Sequence, residues 1–226
     1  MTRMPATLKL AAFSMLLALV VSVPLGILAA LKHNSIWDSL ATALATVGVS
    51  LPKFWFGLVM MIVFSLRLGW LPSTGSAELS EGLGTFLSYI IMPAASLALG
   101  MAATQTRMIR SSMLDVLNQD YVRYARSKGL RERVVIWGHA LKNAMIPVIT
   151  VIGGEVGGLL GGAVVTESIF SWPGVGRLMM NSISKRDYPM IQGITLMLCI
   201  SYLLVNLLID IVYAWVDPRI RLDKKS

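Results

Sequence analysis

Charge and cysteine are both scarce in this chain of 226 residues. Charged residues make up 14% of it, whereas soluble domains average about 25%. The single cysteine, Cys199, excludes an internal disulfide framework and a cysteine-based metal site. The phosphate-binding pattern Gly-x-x-x-x-Gly-Lys-Ser/Thr is missing, as are the His-Glu-x-x-His and Gly-x-Ser-x-Gly patterns of hydrolases. These absences predict a chain that is not itself an enzyme and carries no cofactor or metal of its own.

Apolar residues dominate the chain. They make up 55% of it, and the mean hydropathy is +0.69. A helix needs about 20 apolar residues to cross a bilayer, and five such runs can be drawn, at 8–31, 37–66, 86–106, 145–165 and 190–216. The first is longer than the core of a signal peptide, so we interpret it as a mature helix. The predicted fold is all-α, a polytopic transmembrane helix bundle with one domain over residues 1–226.

The second apolar run contains Pro52, within the sequence Ser50-Leu51-Pro52. Proline removes a backbone donor and clashes with the preceding turn, so we expect a kink or a break at this point. Membranes tolerate broken helices where the break lines a cavity enclosed by protein.

Basic residues are unevenly distributed, and the net charge is +8. The segment 107–142 alone holds eight basic residues against three acidic ones. Because basic residues accumulate on the cytoplasmic side of a membrane, we place this segment, Lys32 and the C-terminal tail there. Five spans then put the N-terminus outside and the C-terminus in the cytoplasm. An N-terminus outside without a signal is unusual for a bacterial inner-membrane protein, so we expect a further helix upstream of residue 1.

The loop 107–144 is too long to be a simple connector. Apolar spacing predicts one helix from Ser112 to Lys128, which Gly129 ends, and a second over 131–143. Pro147 would then occupy the first turn of the next span. Two amphipathic helices on the membrane face are equally typical of an element that binds lipid headgroups and of one that docks a soluble partner.

The segment from Asp120 to Leu130, together with His139-Ala140-Leu141-Lys142-Asn143-Ala144, resembles the cytoplasmic loop of dipeptide, oligopeptide and nickel ABC importer permeases. The wider superfamily has Glu-Ala-Ala, three residues and then Gly; here Arg123 and Tyr124 replace the acid and the first alanine, as in the peptide-importer branch. The resemblance implies a coupling helix that inserts into an ATP-binding subunit. The residues expected to serve this coupling are Asp120, Tyr121, Arg123, Ala125, Arg126, Lys128, Gly129 and Leu130.

The same resemblance extends along the chain in order. Gly48 to Pro52 with Phe54-Trp55 is similar to the family's broken helix, and Asp217-Pro218-Arg219 to its C-terminal tail. Family members begin with an additional helix, and this sequence opens near their second one. The periplasmic loop, 166–189, would face the solute-binding protein, and its matching residues are Glu167, Phe170, Trp172, Pro173, Gly174, Arg186 and Asp187.

The resemblance implies a permease subunit of an ATP-binding-cassette importer in the bacterial inner membrane. Its expected partners are a second permease, two ATP-binding subunits, an extracytoplasmic solute-binding protein and the lipid bilayer, with no nucleic acid. ATP and Mg²⁺ would bind the partner subunits. The expected cargo is di- or oligopeptides. Nickel or glutathione import remains an alternative, as does a self-contained ion-coupled transporter or channel, which ought to show inverted repeats.

Two ionisable residues fall in or beside predicted spans. Lys53 follows the Pro52 break, and Glu155 lies on the glycine-rich run that begins near residue 145. Ionisable groups in a span usually face a cavity or a partner, so both are candidates to contact a zwitterionic substrate. Alternatively, both lie close to a membrane interface. Glycines repeat every four residues around Glu155, a spacing that lets another helix backbone approach closely, within this subunit or from a partner permease.

Overall fold

The computed structural model describes residues 3–216, except for the side chains of residues 160, 162, 210 and 212–216. The predicted tail pattern at 217–219 lies outside this range. Every regular element within the range is helical, as predicted. The α-helices are α1 (Met4–Leu31), α2 (Ile36–Ser50), α3 (Lys53–Met60), α4 (Leu83–Leu117), α5 (Asp120–Ser127), α6 (Glu132–Val134), α7 (Leu141–Ile169), α8 (Val175–Ser184) and α9 (Tyr188–Val216).

Four helices are long and apolar enough to cross a membrane: Met4–Leu31, Leu83–Leu117, Glu132–Leu159 and Tyr188–Ile209. A fifth crossing results if the bent pair Ile36–Ser50 and Lys53–Arg67 counts as one span. The two members of this pair meet at an angle of 103°. Leu51 and Pro52 adopt extended backbone conformations between them, which confirms the predicted break at Pro52.

Helix α4 lies at the centre of the bundle. In its most apolar stretch 61% of the residues are buried, compared with 6% in α9 at the periphery. Glycines on three neighbouring helices face it. An added Cβ would lie 2.7 Å from Ile109 Cβ at Gly26, 3.0 Å from Ala103 Cβ at Gly48 and 2.9 Å from Ser96 Oγ at Gly57. Small residues at such crossings let helix backbones approach closely in a membrane.

Two apolar clusters stack along α4. The first joins α1, α4 and α7 through residues that include Leu10, Phe86, Leu97 and Leu159. The second lies at the other end of the bundle and includes Ile27, Ile109, Met113, Ile136 and Val148. We call this second end the basic end, because it carries the turn at 32–35 and the loop at 118–131. The packing therefore fixes α4 firmly at both ends.

A buried carboxylate ties α2 to α4 at the basic end. Asp38, only 5% exposed, accepts hydrogen bonds from Arg110 through Nε and through Nη2, the latter at 2.9 Å. It also accepts one from the backbone N of Asn34 at 3.0 Å and lies 3.1 Å from His33 Nδ1. A bidentate arginine with further donors compensates the cost of burying the charge. The contact joins residues 72 positions apart, and no spacing pattern in the sequence predicts it.

The predicted boundaries were wrong in the loop 107–144. Helix α4 does not end at 106 but continues to Leu117, and the chain breaks at Asn118 and Gln119, inside the helix predicted from Ser112 to Lys128. Asn118 Nδ2 donates to the carbonyl of Leu114 at 2.9 Å, and Gln119 is extended. The asparagine amide thus satisfies a carbonyl at the helix end and favours termination there.

The second predicted loop helix is not separate from the span that follows. Residues Glu132 to Ile169 are continuously helical, with a π-helical stretch at Val135–Ala140, so Pro147 lies in the helix interior rather than in its first turn. Interior prolines are tolerated in membrane helices, where neighbouring groups compensate for the lost hydrogen bond. The segment 166–189 also differs from the loop predicted there, because it contains the helix Val175–Ser184.

Substitution of Gly26 tests the close approach to α4. We expect Gly26→Ala to lower stability by about 1–3 kcal/mol, because the new methyl group overpacks against the buried Ile109. Gly154→Ala is the matched control, since an added Cβ there meets nothing within 4 Å. The midpoint of thermal unfolding of the detergent-solubilised chain reports both. Equal midpoints for the two variants would contradict the packing described.

Candidate functional site

Helix α5 has a narrow inner face and a broad outer face. Val122 is fully buried and Ala125 is 7% exposed. Both belong to a small apolar cluster with Val135, against which Val116 and Leu117 pack. The other residues from Asp120 to Leu130 are exposed. This helix is therefore held on the bundle by one stripe, and most of its surface remains available to a partner.

Polar contacts fix α5 to the helix that follows it. Arg126 Nη2 donates to Glu132 Oε1 at 2.6 Å and its Nε donates to Glu132 Oε2 at 3.2 Å. The hydrogen bond to Glu132 raises the pKa of Arg126 above its ordinary value. Asn143 Nδ2 donates to the hydroxyl of Tyr121 at 2.9 Å. Both bonds therefore connect α5 to the helical run that contains α7.

The turn after α5 depends on a glycine. Gly129 has φ +76°, the left-handed region, and follows directly on the last turn of the helix, so it ends α5 as predicted. Just before it, Lys128 Nζ lies 4.6 Å from the centroid of the Tyr124 ring, a cation–π arrangement. The turn thus carries an aromatic ring and a cation at the exposed tip of the loop.

The eight residues predicted for coupling divide into two groups. Ala125 points into the apolar cluster, so it holds α5 in place and is not available to a partner. The remaining seven are exposed on or beside one short helix. They are Asp120, Tyr121, Arg123, Arg126, Lys128, Gly129 and Leu130.

Lys53 and Glu155, the two ionisable residues predicted for the substrate path, line the same cavity. This space of about 350 Å³ lies among α2, α3, α4 and α7. Lys53 begins α3 directly after the break, and its carbonyl accepts a hydrogen bond from Ser96 Oγ at 2.8 Å. The other lining residues are Val49, Gly100, Met101, Thr104, Gly158 and Leu159. The two side chains together make a site of mixed charge.

Glu155 is held from behind by a buried polar chain. Gln105, fully buried on α4, donates through Nε2 to Glu155 Oε2 at 2.7 Å, and Ser22 Oγ on α1 donates to Gln105 Oε1 at 2.9 Å. Buried polar groups that are satisfied in this way fix the position of the group they contact. Sequence analysis missed Gln105 and Ser22, although a polar residue within each apolar run was a visible signal.

The carboxylate of Glu167 is buried at the end of the bundle that lies opposite the basic end. Glu167 is fully buried, accepts from Thr7 Oγ1 at 2.6 Å and accepts from the backbone N of Arg177 at 3.1 Å. The Thr7 hydroxyl in turn accepts from the backbone N of Val175 at 2.9 Å. The Glu167 carboxylate and the Thr7 hydroxyl therefore both lie at the first turn of α8. There they accept hydrogen bonds from backbone N–H groups that have no partner within the helix. This contact joins α1, α7 and α8, and we call it the Glu167 clasp.

Most residues of the segment 166–189 that were predicted to contact a solute-binding protein are buried within that segment. Glu167, Phe170, Trp172 and Gly174 are buried, and Trp172 Nε1 donates to the carbonyl of Ala6 at 2.9 Å. Pro173 is half-buried. These side chains maintain the shape of the loop and are not available as a docking surface. The exposed pair is Arg186 and Asp187, at the turn between α8 and α9.

Comparison with protein families gives one match that covers most of the chain. The family of inner membrane components of binding-protein-dependent transport systems matches residues 22–222. The chain belongs to this family. It is therefore a permease subunit of an ATP-binding-cassette importer and a component of the inner membrane.

Curated relatives of this permease are peptide permeases. The oligopeptide transport system permease protein AppB of Bacillus subtilis is 45% identical over 222 residues, which cover 97% of this chain and 70% of AppB. The dipeptide transport system permease protein DppB of Escherichia coli K12 is 43% identical over 242 aligned positions, which cover 97% of this chain and 71% of DppB.

Solved structures share the fold of this permease. A chain of the methionine ABC transporter MetNI in an inward-facing conformation matches with a TM-score of 0.78 at 15% identity, over 96% of this chain and 95% of that one. A chain of an amino acid ABC transporter, solved with histidines, matches with a TM-score of 0.66 at 16% identity, over 94% and 92%. At these sequence identities, both matches show a shared fold and nothing further.

The Glu167 clasp can be tested at Thr7. Thr7→Val keeps the shape of the side chain but removes the hydroxyl that bonds to Glu167 and accepts from Val175. We expect a loss of about 2–3 kcal/mol, because a buried carboxylate loses a donor. Thr46→Val is the control, since the Thr46 hydroxyl is exposed and bonds within its own helix. The midpoint of thermal unfolding and the rate of protease cleavage after Ser171 would report the difference between the two variants. Equal values for both variants would contradict the Glu167 clasp.

Proposed function

We propose that this permease, with a second permease, forms the path for di- or oligopeptides delivered by a solute-binding protein. Two observations support this cargo. The curated relatives at 43–45% identity are peptide permeases by name. The Lys53–Glu155 cavity also offers one cation and one carboxylate, a mixed charge that suits a zwitterion.

We further propose that ATP is hydrolysed on partner subunits, which bind ATP and Mg²⁺, and that this chain hydrolyses nothing. The basic end would face the cytoplasm, since Lys32 and the basic residues of 107–142 lie there. The single observation that carries this assignment is the exposed outer face of α5, anchored by Val122 and Ala125 and projecting at the basic end.

Motion of the ATP-binding subunits would reach the path through a short mechanical route. Contact with the outer face of α5 displaces α5, and the Arg126–Glu132 and Tyr121–Asn143 contacts carry this displacement into the helix that includes Glu155. Alternating access then requires only that ATP and peptide each favour one of two arrangements whose free energies differ by a few kcal/mol, in order of magnitude.

Exposed residues of α5 give the sharpest test of coupling. We expect Arg123→Ala and Tyr124→Ala to lower ATP-driven uptake of trialanine at least roughly tenfold, because each removes a partner contact without touching the buried stripe. Ala125 is unsuitable for this test, since a larger residue would overpack the cluster. Uptake is measured in cells that express the chain with its second permease, ATPases and binding protein.

Arg133→Ala is the matched control for these two variants, because Arg133 is an exposed basic residue of the same region that lies outside α5. Membrane abundance of each variant is measured alongside uptake. Normal uptake by Arg123→Ala and Tyr124→Ala would overturn the coupling assignment, and uptake by the chain without any ATPase would favour a self-contained transporter.

Glu155→Gln tests the substrate contact. The amide keeps the size of the side chain and a hydrogen bond to Gln105 but removes the negative charge, so we expect a lower apparent affinity for trialanine. We expect this affinity to fall by a factor of about ten, which corresponds to the loss of one charge-assisted contact. N-acetylated trialanine, which lacks the ammonium group, should not distinguish the variant from the wild type. An equal loss for both peptides would point to a structural effect instead.

A further inference from the structure

A second and larger cavity adjoins the Lys53–Glu155 cavity on its side nearer the basic end. Its volume is about 600 Å³. The two cavities share the exposed residues Val49 and Thr104, so they adjoin each other. The other lining residues are Thr42, Arg107, Met108, Arg110, Ser111 and Val151. We call it the Arg107 cavity.

The two arginines of this cavity differ in their partners. Arg110 is committed to Asp38 through two hydrogen bonds, so its charge is compensated. Within the part of the chain that the structure describes, no carboxylate forms an ion pair with Arg107. Arg107 therefore gives the cavity one positive charge that no carboxylate of the described residues pairs with.

Hydroxyl groups accompany this charge. Thr104, Arg107 and Ser111 recur at three- and four-residue spacing on α4, which places them on one face. Thr42 lines the cavity from α2. The Thr104 hydroxyl already donates to the carbonyl of Gly100 at 3.0 Å, so the hydroxyl donors beside Arg107 are those of Thr42 and Ser111. An arginine with such donors beside it is a typical arrangement for binding a carboxylate, because the guanidinium group presents paired N–H donors.

The length of the two cavities together suits a short peptide. Gly100 lines the first and Ser111 the second, so the joint lining runs about 16 Å along α4. The two charged groups are closer along this axis, because Glu155 bonds to Gln105, and two residues of helix separate Gln105 from Arg107 by about 3 Å. An extended peptide of two to four residues spans about 7–14 Å. We propose that the Arg107 cavity is a second subsite of the peptide path, which holds the carboxylate end of a short peptide whose amino end lies against Glu155.

This inference rests on the proposed function and adds direction to it. The peptide would travel with its carboxylate toward the basic end. Glu155 then binds the ammonium group and Arg107 the carboxylate, while Lys53 lines the first cavity. Other short zwitterions with separated charges belong to the same ligand class.

The test compares two probes on the purified complex of both permeases and both ATPases in nanodiscs. The probes are trialanine and its C-terminal amide, which lacks only the negative charge. Isothermal titration calorimetry without the binding protein measures direct binding. We expect the wild type to bind trialanine roughly tenfold more tightly than the amide, and Arg107→Gln to bind both equally weakly.

Two further variants control for charge and folding. Arg107→Lys keeps the charge and should retain most of the preference for the free carboxylate. Lys142→Gln removes an exposed basic residue near the same end that does not line the cavity, and should leave the preference unchanged. Size-exclusion profiles and ATP hydrolysis show that each complex remains assembled.

Nanodiscs with and without phosphatidylglycerol distinguish a lipid headgroup from a peptide. If Arg107 binds lipid phosphate instead, Arg107→Gln will change lipid retention but preserve the preference for trialanine over its amide, which would overturn the proposal. Equal binding of both probes by the wild type would also overturn it while leaving peptide transport intact. If the wild type binds neither probe and takes up no peptide in cells, the proposed function fails with it.

Discussion

Close packing on α4 is the constraint on which the rest of this permease depends. A bilayer supplies little hydrophobic driving force between helices, so association relies on van der Waals contact and on satisfied polar groups. Glycines at 26, 48 and 57 allow α1, α2 and α3 to reach α4. The same approach brings the Lys53 end of the broken helix beside Gly100, and so creates the cavity that Glu155 completes.

Polar side chains inside this apolar bundle occur at three levels, and each has partners. The Glu167 clasp lies at one end, the Ser22–Gln105–Glu155 chain lies in the middle, and Asp38 with Arg110 lies at the basic end. The outer two are closed, since their carboxylates are buried and fully engaged. The middle one opens onto a cavity. The two buried carboxylates thus serve the scaffold, whereas the carboxylate that faces a cavity belongs to the candidate site.

Sequence reasoning predicted what depends on local chemistry. The break at Pro52, the turn at Gly129 and the apolar spans follow from backbone preferences and hydropathy. It failed where tertiary packing decides. The charged end of α4 remains helical to Leu117 because Ile109 and Met113 are buried against neighbouring helices. Pro147 is half-buried, and membrane helices tolerate an interior proline where neighbouring groups compensate for the lost hydrogen bond. The burial of Glu167 and Ala125 depends on contacts with residues distant in sequence or across the loop, which spacing alone does not reveal.

The helical run from Glu132 to Ile169 contains the π-helical stretch Val135–Ala140 and the interior Pro147, and it would act as a lever if it tilts as one body. At about 1.5 Å per residue the run is about 57 Å long. One end contacts α5 through the ion pair of Glu132 with Arg126. The other end carries Glu167, which accepts a hydrogen bond from Thr7. If the Glu167 end acts as a fulcrum, a tilt of about 5° sweeps the free end through about 5 Å, nearly one helical pitch. Glu155 lies part of the way along and would then move through a smaller arc, so that a large displacement at one surface would become a small one at the cavity.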